Sequence, residues 1–333
     1  MKFPILVSFP FICLLSIMVW PFNTKPSQIK TVAARELTDI PGIVFARNLL
    51  DWRNRPVDSA QLDLYYPTGA TANRKYPLIL FCHAGGFSGG NRFNVMAICD
   101  RYADQGFVVA GIDYRVGYKK GKGDAACETD SVSLNEAIYR ASQDANAAFR
   151  YLVANAEKLN IDTSWIFIAG SSAGGSLSLI DAYLNDSTAQ IYYPYIPPKL
   201  GGLQSSGNTY TNKYKIKGIV SMWGALSYAD KLIDADYTSI PTILFKGTEE
   251  GGIPDSVGHY RECQTLPILY AGIAIYDKLR SENTPAVFHT LPLANHPAYD
   301  VEFCVEQSTC FLKAIMAGTS YSGQYSYFDP SCR

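Results

Sequence analysis

The stretch "WIFIAGSSAGGSLSL", residues 165–179, joins an apolar run to a helix-like segment through a turn of small residues. Its first five residues are apolar, as in a strand buried on both faces of a parallel sheet. Gly170, Ser172 and Gly174 then have the spacing G-x-S-x-G, which at a strand-to-helix turn strains the serine backbone and exposes its hydroxyl group. Small neighbours let the strand and the helix approach closely. Ser172, rather than Ser171, is therefore the predicted nucleophile, and the N-terminus of the following helix favours negative charge beside it.

The alternation of strand and helix continues along the chain and decides the fold class. Further apolar runs predict buried strands within "YPLILFCHAGG", "GFVVAGIDYR", "IKGIVSMWG", "PTILFKGT" and "PAVFHTLP". Helical spacing of apolar residues appears between them, most clearly over residues 133–160. This alternation is typical of an α/β fold in which a mostly parallel central sheet carries helices on both faces. Because no repeat or long linker interrupts it, we predict a single domain over residues 41–333.

One irregular insertion interrupts this pattern. Residues 192–215 are rich in Tyr, Pro, Gly and Ser and separate the helix after Ser172 from the next predicted strand. Two interpretations of this insertion stay open: a lid over the site, or an exposed loop with ordinary tyrosine packing. Residues 317–333 are similarly low in pattern and are expected to be irregular.

Composition and the N-terminal residues restrict the class of protein and its location. The 333 residues are 47% hydrophobic and 18% charged with a formal net charge of −1, a globular balance that disfavours nucleic acid as a partner. Lys2 precedes an apolar run that extends to Trp20. Residues 1–22 are therefore expected to be a signal peptide or an N-terminal anchor, with a buried strand as the alternative. We expect a secreted or periplasmic protein, which contacts a membrane only if this segment is not cleaved; the oligomeric state stays open.

Cysteine content agrees with an oxidising compartment. Seven cysteines follow the leader, so at least one thiol stays free or pairs between chains. Cys99 with Cys127, and Cys332 with either Cys304 or Cys310, are the expected pairs. No C-x-x-C spacing or Cys/His cluster is present, and neither a metal nor a cofactor is expected.

A second motif, "HAGGF" at residues 83–87, follows an upstream apolar run. Its glycine pair lets backbone N–H groups point the same way, as stabilisation of an oxyanion requires. Together with G-x-S-A-G-G it resembles carboxylesterases of the α/β-hydrolase superfamily, of the hormone-sensitive-lipase-like and the feruloyl- and acetyl-xylan-esterase-like kinds. The resemblance covers about residues 45–316 and implies an α/β-hydrolase fold whose oxyanion hole is formed by Gly85, Gly86 and the N–H of Ala173. This chain has alanine at the second position of the loop and Ser171 where the lipase-like branch often has aspartate.

The resemblance implies that the catalytic histidine follows the serine along the chain. His83 precedes Ser172 and is expected to support the oxyanion loop. His289 lies within a predicted strand, where it would pack, and His259 is expected to be solvated. His296, in the loop between the last predicted strand and the last helix, is the candidate base.

The acid is expected just beyond the strand "PTILF". Related esterases read H-G-T-x-D-x-x-V-P in this place, and aligning residues 247–248 and Pro254 puts Glu250 at the aspartate position. Glu249 would be a solvated neighbour, and Asp255 is the second candidate for the acid.

These residues predict a serine ester hydrolase. His296 would take the proton of Ser172 as the serine attacks an ester carbonyl, and water would then hydrolyse the acyl-enzyme. Phe87 and Trp223 are expected to form pocket walls. By analogy, the substrate is a small-molecule or polysaccharide-linked ester, with acetyl or feruloyl esters of polysaccharides favoured. A serine peptidase of the same fold and a secreted, inactive binding protein are the alternatives.

Overall fold

The computed structural model describes residues 36–121, 125–234 and 240–332. The strands are β1 (Ile40–Ala46), β2 (Leu49–Leu50), β3 (Pro56–Val57), β4 (Ala60–Tyr65), β5 (Tyr76–Cys82), β6 (Val108–Ile112), β7 (Ile161–Ser171), β8 (Ile216–Met222), β9 (Ala225–Leu226), β10 (Thr242–Gly247), β11 (Val257–His259), β12 (Ile268–Ala271), β13 (Ala286–Leu291) and β14 (Gly323–Ser326). The helices are α1 (Met96–Asp104), α2 (Ser131–Ala154), α3 (Ala173–Tyr183), α4 (Asp186–Tyr192), α5 (Pro197–Leu200), α6 (Ala229–Leu232), α7 (Ile273–Ser281) and α8 (Val301–Met316).

Nine of the strands in the described ranges form one sheet in the order β1-β4-β6-β5-β7-β8-β10-β13-β14. The β1–β4 and β4–β6 pairs are antiparallel, and every pair from β6 to β14 is parallel. The predicted mostly parallel sheet is confirmed. Because the carboxyl ends of parallel strands meet at one edge, the loops after β5, β7, β10 and β13 all open at the same edge of the sheet.

Side chains of successive strand residues point to opposite faces of the sheet, and each face is covered by helices. In β5, Leu78 and Leu80 belong to the core under α2, α3 and α7, whereas Ile79 and Phe81 belong to the core under α1 and α8. This double burial explains why the strand sequences are continuously apolar instead of alternating with polar residues.

The insertion at residues 192–215 covers one side of α2. The side-chain amide of Gln143 donates to the carbonyl of Leu200 at 2.8 Å, and the Arg150 guanidinium donates to the carbonyl of Ser206 at 2.6 Å. In return, the Asn208 amide donates to the carbonyl of Ala147 at 2.8 Å. Polar side chains of α2 thus satisfy loop carbonyl groups that would otherwise be buried without partners. Burial therefore extends around α2, beyond the apolar stripe that its sequence predicts.

The disulfides differ in part from the expected pairs. Cys127 bonds to Cys263 and Cys310 bonds to Cys332. The Cys310–Cys332 alternative is confirmed, but a Cys99–Cys127 bond is wrong, because Cys99 is fully buried as a free thiol in the core beneath α1.

The residues after α8 are more ordered than expected. β14 pairs in parallel with β13, and Gln307 of α8 accepts hydrogen bonds from the backbone N–H and the hydroxyl group of Ser331. The predicted leader at residues 1–22 lies outside the described residues. None of the helices in the described ranges is long and apolar enough to cross a membrane.

Candidate active site

Ser172 lies at the turn between β7 and α3. Its φ of 56° and ψ of −119° belong to the strained region that the turn was expected to impose. The turn has no room for side chains at the flanking glycines: a Cβ on Gly174 would lie 2.0 Å from the carbonyl oxygen of Cys82, and a Cβ on Gly170 would lie 2.3 Å from the carbonyl oxygen of Gly174. The glycines therefore allow the nucleophile turn to approach the end of β5.

The loop after β5 lies next to this turn. Gly85, Gly86 and Phe87 have φ values of 126°, 59° and 57°, which fold the backbone sharply back on itself. The carbonyl of Gly85 accepts hydrogen bonds from the N–H groups of Ser88 and Gly89. Within the described ranges, the N–H of Gly86 meets no backbone acceptor. The loop thus has an unused donor beside Ser172, in the pocket that both residues line.

His83 packs next to this loop, at the end of β5. Its buried ring stacks on Tyr114 at a centroid distance of 4.0 Å, and its Nδ1 lies 2.6 Å from the carbonyl oxygen of Ala84. Burial lowers the pKa of His83. The structural role expected for this histidine agrees with these contacts.

His296 and Glu250 come together at the carboxyl edge of the sheet. His296 lies between β13 and α8, and its Nδ1 is 3.3 Å from Oε2 of Glu250. The Glu250 carboxylate is buried, and its Oε1 accepts a hydrogen bond of 2.7 Å from the N–H of Gly247. The pocket that contains Ser172 also contains His296. The other acid candidate, Asp255, is exposed, as is Glu249.

Lys246 is a site residue that the sequence interpretation missed. Its side chain is only 1% exposed, and its Nζ lies 3.4 Å from Oε2 of Glu250 while donating to the carbonyl of Gly247 at 2.8 Å. The carboxylate of Glu250 therefore contacts two basic side chains, Lys246 and His296. A lysine directly after the apolar run "TILF" was the available signal, because such a position is buried and an isolated buried charge is costly.

The remaining histidines lie elsewhere. His289 is buried with its ring stacked between Phe245 and Tyr325, and its Nε2 lies 3.1 Å from Oγ of Ser331. Burial lowers the pKa of His289 to about 4, so the packing role expected for it is confirmed. His259 is half-buried at the end of β11 rather than solvated, with Nδ1 2.8 Å from the carbonyl oxygen of Leu266.

A cavity of about 470 Å³ contains Ser172 and His296. Phe87 lines it as expected, together with Leu134 and Ile138 of α2. Another part of the lining is a segment that we call the flap, residues 251–271. Its strand β12 pairs with β11 on one side and with β9 on the other, in a small separate sheet. The lining residues of the flap are Gly251, Ile253, Tyr260, Arg261, Pro267 and Leu269.

Two candidate pocket walls do not line this cavity. No described residue of 192–215 lines the cavity, because that insertion packs on α2 instead of covering Ser172. Trp223 does not line the cavity either: it is 6% exposed, and its ring packs edge-on against the ring of His296 at 5.9 Å. Trp223 therefore contacts the candidate base rather than the space for a substrate.

The family model of BD-FAE matches residues 62–232, just over half of the chain. The chain belongs to the BD-FAE family. This BD-FAE protein is accordingly a carboxylesterase-type hydrolase with an α/β-hydrolase fold, as its sequence predicts. The matched range includes the loop with Gly85 and Gly86 and the turn with Ser172, whereas Glu250 and His296 lie beyond it.

Solved structures share the fold of this BD-FAE protein at low sequence identity. Thermogutta terrifontis esterase 2 phosphonylated by cyclosarin is 16% identical, with a TM-score of 0.58 over 88% of this chain and 97% of that one. A truncated carbohydrate esterase from gut microbiota is 18% identical, with a TM-score of 0.56 over 85% and 97%. The bifunctional GH43-CE of Bacteroides eggerthii is also 18% identical, with a TM-score of 0.56 over 83% of this chain and 35% of that one. No curated protein matches the sequence.

Proposed function

We propose that this BD-FAE protein hydrolyses carboxylic esters through an acyl-enzyme on Ser172, with His296 as the general base and Glu250 as the acid that orients it. The observation that carries the proposal is the pocket itself. It contains a serine at a strained strand-to-helix turn and a histidine whose Nδ1 faces a buried carboxylate. Membership of an esterase family favours this reaction over the serine-peptidase and binding-protein alternatives.

In the proposed reaction, Nε2 of His296 takes the hydroxyl proton of Ser172 as Oγ attacks the ester carbonyl carbon. The imidazolium, stabilised by Glu250, returns that proton to the leaving alcohol, and the acyl-enzyme remains. Water then attacks the acyl carbonyl with the same base, which releases the acid and restores Ser172. Glu250 accepts no proton in any step; it orients the imidazole and stabilises the imidazolium.

The oxyanion of each tetrahedral intermediate is proposed to accept hydrogen bonds from the loop at Gly85 and Gly86 and from the N–H of Ala173. Three consecutive positive φ values from Gly85 to Phe87 turn the loop backbone, and the hydrogen bonds from Ser88 and Gly89 to the carbonyl of Gly85 hold this turn. Donors that are already oriented need no reorganisation in the transition state, and each is worth about 3–4 kcal/mol of barrier.

For the substrate we propose acetyl or feruloyl esters carried by polysaccharides. The carbohydrate esterases among the structures that share this fold support the choice. A cavity of about 470 Å³ flanked by Phe87, Tyr118 and Tyr260 has room and aromatic surface for an aryl acyl group. We also propose that the leader at residues 1–22 directs export of the enzyme, which would bring it to such a substrate.

Hydrolysis of p-nitrophenyl acetate, butyrate and octanoate and of methyl ferulate tests the reaction. Ser172→Ala should lose at least about 10⁴-fold in kcat, because removing a nucleophile of this type disables the whole mechanism. Ser171→Ala is the matched control, one residue away, and should stay within a few-fold of the wild type. A fluorophosphonate should label Ser172 and not the variant. Equal turnover by the wild type and Ser172→Ala would refute the assignment.

A further inference from the structure

We propose that Arg261 forms a carboxylate-binding subsite on the flap side of the pocket. The preferred substrates would then be esters that carry a carboxylate near the scissile bond, such as acylated glycans with uronate units. This inference rests on the proposed ester hydrolysis at Ser172 and adds the charge of the substrate to it.

Arg261 is an exposed residue whose position is restricted by three contacts. Its backbone, with a φ of 54°, donates its N–H to the carbonyl of Gly252 at 2.8 Å. A Cβ added at Gly252 would lie only 3.3 Å from Cγ of Arg261, so the side chain packs across that glycine, two residues after Glu250. The guanidinium carbon lies 5.4 Å from the ring centroid of Tyr260. The stem contact and the aromatic face thus restrict where the exposed guanidinium lies beside the cavity that Arg261 lines.

The charge of Arg261 is uncompensated within the pocket. Among the described residues that line the cavity there is no Asp or Glu, and Arg261 is the one Lys or Arg. Within the described ranges it forms no ion pair, although Asp255 and Glu262 are nearby along the flap. Lys246, the other cation of this region, is buried against Glu250. A guanidinium presents two parallel N–H donors that match the two oxygens of a carboxylate, so this group fits an acidic substrate better than a neutral one.

A disulfide connects the flap to the segment that precedes α2. Cys263, two residues after Arg261, bonds to Cys127, and the hydroxyl group of Thr265 donates to the carbonyl of Cys127 at 2.9 Å. Cys127 shortly precedes α2, which contributes Leu134 to the lining of the same cavity. The disulfide therefore ties the flap to another element of the cavity lining, which limits its motion and lowers the cost of binding a ligand there.

Matched charged and neutral esters test the subsite. One pair carries the carboxylate on the alcohol, 3-acetoxybenzoate against its methyl ester. The other carries it on the acyl group, mono-p-nitrophenyl adipate against methyl p-nitrophenyl adipate. We expect the wild type to prefer the charged member of at least one pair, and the pair that responds identifies which half of the substrate Arg261 contacts.

Arg261→Gln should lower kcat/KM for that charged ester about tenfold, mainly through KM, and change kcat/KM for the neutral ester less than about twofold. Arg261→Lys should restore part of the preference, because it keeps the charge but loses the planar donor pair. Arg74→Gln is the control: Arg74 also stacks on a tyrosine, Tyr76, but lies outside the cavity. Added salt at about 0.5 M should reduce the preference of the wild type, since this charge is partly exposed to solvent.

Two outcomes separate this inference from the proposed function. If neutral esters are hydrolysed with full dependence on Ser172, but the charged-to-neutral ratio is the same in the wild type and Arg261→Gln for both pairs, the subsite is refuted and the esterase assignment stands. If no ester, charged or neutral, is hydrolysed in a way that depends on Ser172, the proposed function fails and the subsite fails with it.

Discussion

Replacing Lys246 with methionine should destabilise the protein strongly. The side chains of Lys246 and Glu250 are both at most 1% exposed, and Nζ lies 3.4 Å from Oε2. At an effective dielectric constant of about 20, Coulomb's law gives about 5 kcal/mol for unit charges at this distance. Removing one partner of a buried pair costs about 3–5 kcal/mol in measured cases, because the other charge stays buried without compensation. We expect a loss of that size in the free energy of unfolding.

Urea unfolding followed by tryptophan fluorescence measures this loss, and a double-mutant cycle assigns it. Lys246→Met combined with Glu250→Gln should be more stable than Lys246→Met alone, because the double variant leaves no unpaired charge. Lys278→Met is the matched control: Lys278 and Glu282 also pair four residues apart, but their side chains are 25% and 22% exposed. That change should cost less than about 1 kcal/mol.

Turnover provides a second measurement. If Lys246 holds the carboxylate that orients His296, Lys246→Met should lower kcat more than it raises KM, since substrate does not contact it. A stability loss below about 1 kcal/mol together with an unchanged kcat would refute the reasoning, because a compensated buried pair cannot lose one partner without effect.

Three further changes test other parts of the molecule. The free energy of unfolding of the wild type should fall by about 3 kcal/mol as the pH is lowered from about 6.5 to about 4. Over this range the folded His289, with its pKa lowered to about 4, stays neutral while the same residue in the unfolded chain takes up a proton. His289→Phe should remove this part of the pH dependence. Gly85→Ala should abolish most ester turnover, because its Cβ would lie 2.0 Å from a carbonyl oxygen of the same loop. A Cβ on Gly86 would meet nothing closer than 3.9 Å, so Gly86→Ala should cost only the strain of about 1–2 kcal/mol that an alanine bears in the left-handed backbone region. Cys263→Ser should lower stability by about 2–5 kcal/mol, since it opens a bridge to Cys127 across 136 residues, and should raise KM as the flap loosens.

Each of these three has an outcome that would contradict it. Urea unfolding at several pH values measures the pH dependence of stability. If His289→Phe leaves it unchanged, the histidine takes up its proton over the same pH range in the folded protein as in the unfolded chain. Equal kcat/KM in Gly85→Ala and Gly86→Ala would show that the loop tolerates a side chain where the structure has no room. A Cys263→Ser variant with the melting temperature and KM of the wild type would remove the disulfide as the anchor of the flap.

The features that the sequence predicted well are determined by residues that follow one another along the chain. The strand, turn and helix around Ser172 could be predicted because an apolar run, small residues and a helical segment follow one another directly. The position of His296 after the last parallel strand could be expected for a similar reason, since the order of elements places it at the edge of the sheet where Ser172 lies.

What the sequence did not predict depends on contacts between distant segments. The flap pairs with β9 and bonds to Cys127, neither of which leaves a local pattern in residues 251–271. The sequence left open whether the 192–215 insertion is a lid or a surface loop, because nothing in its own composition indicates that α2 would supply donors for its carbonyl groups. Lys246 shows the same limit, because the carboxylate that compensates its charge could be identified only once the loop after β10 was folded.

The strand β14 has a consequence for the solubility of shortened chains. It is four residues long and lies at the end of the sheet, where it satisfies the outer hydrogen-bonding groups of β13. A chain cut before residue 323 would leave β13 as a bare parallel edge and would strip Ser331 from His289. An uncovered edge strand is a template for pairing with other molecules, so such a truncation would offer the six-residue β13 for that pairing in place of the four-residue β14.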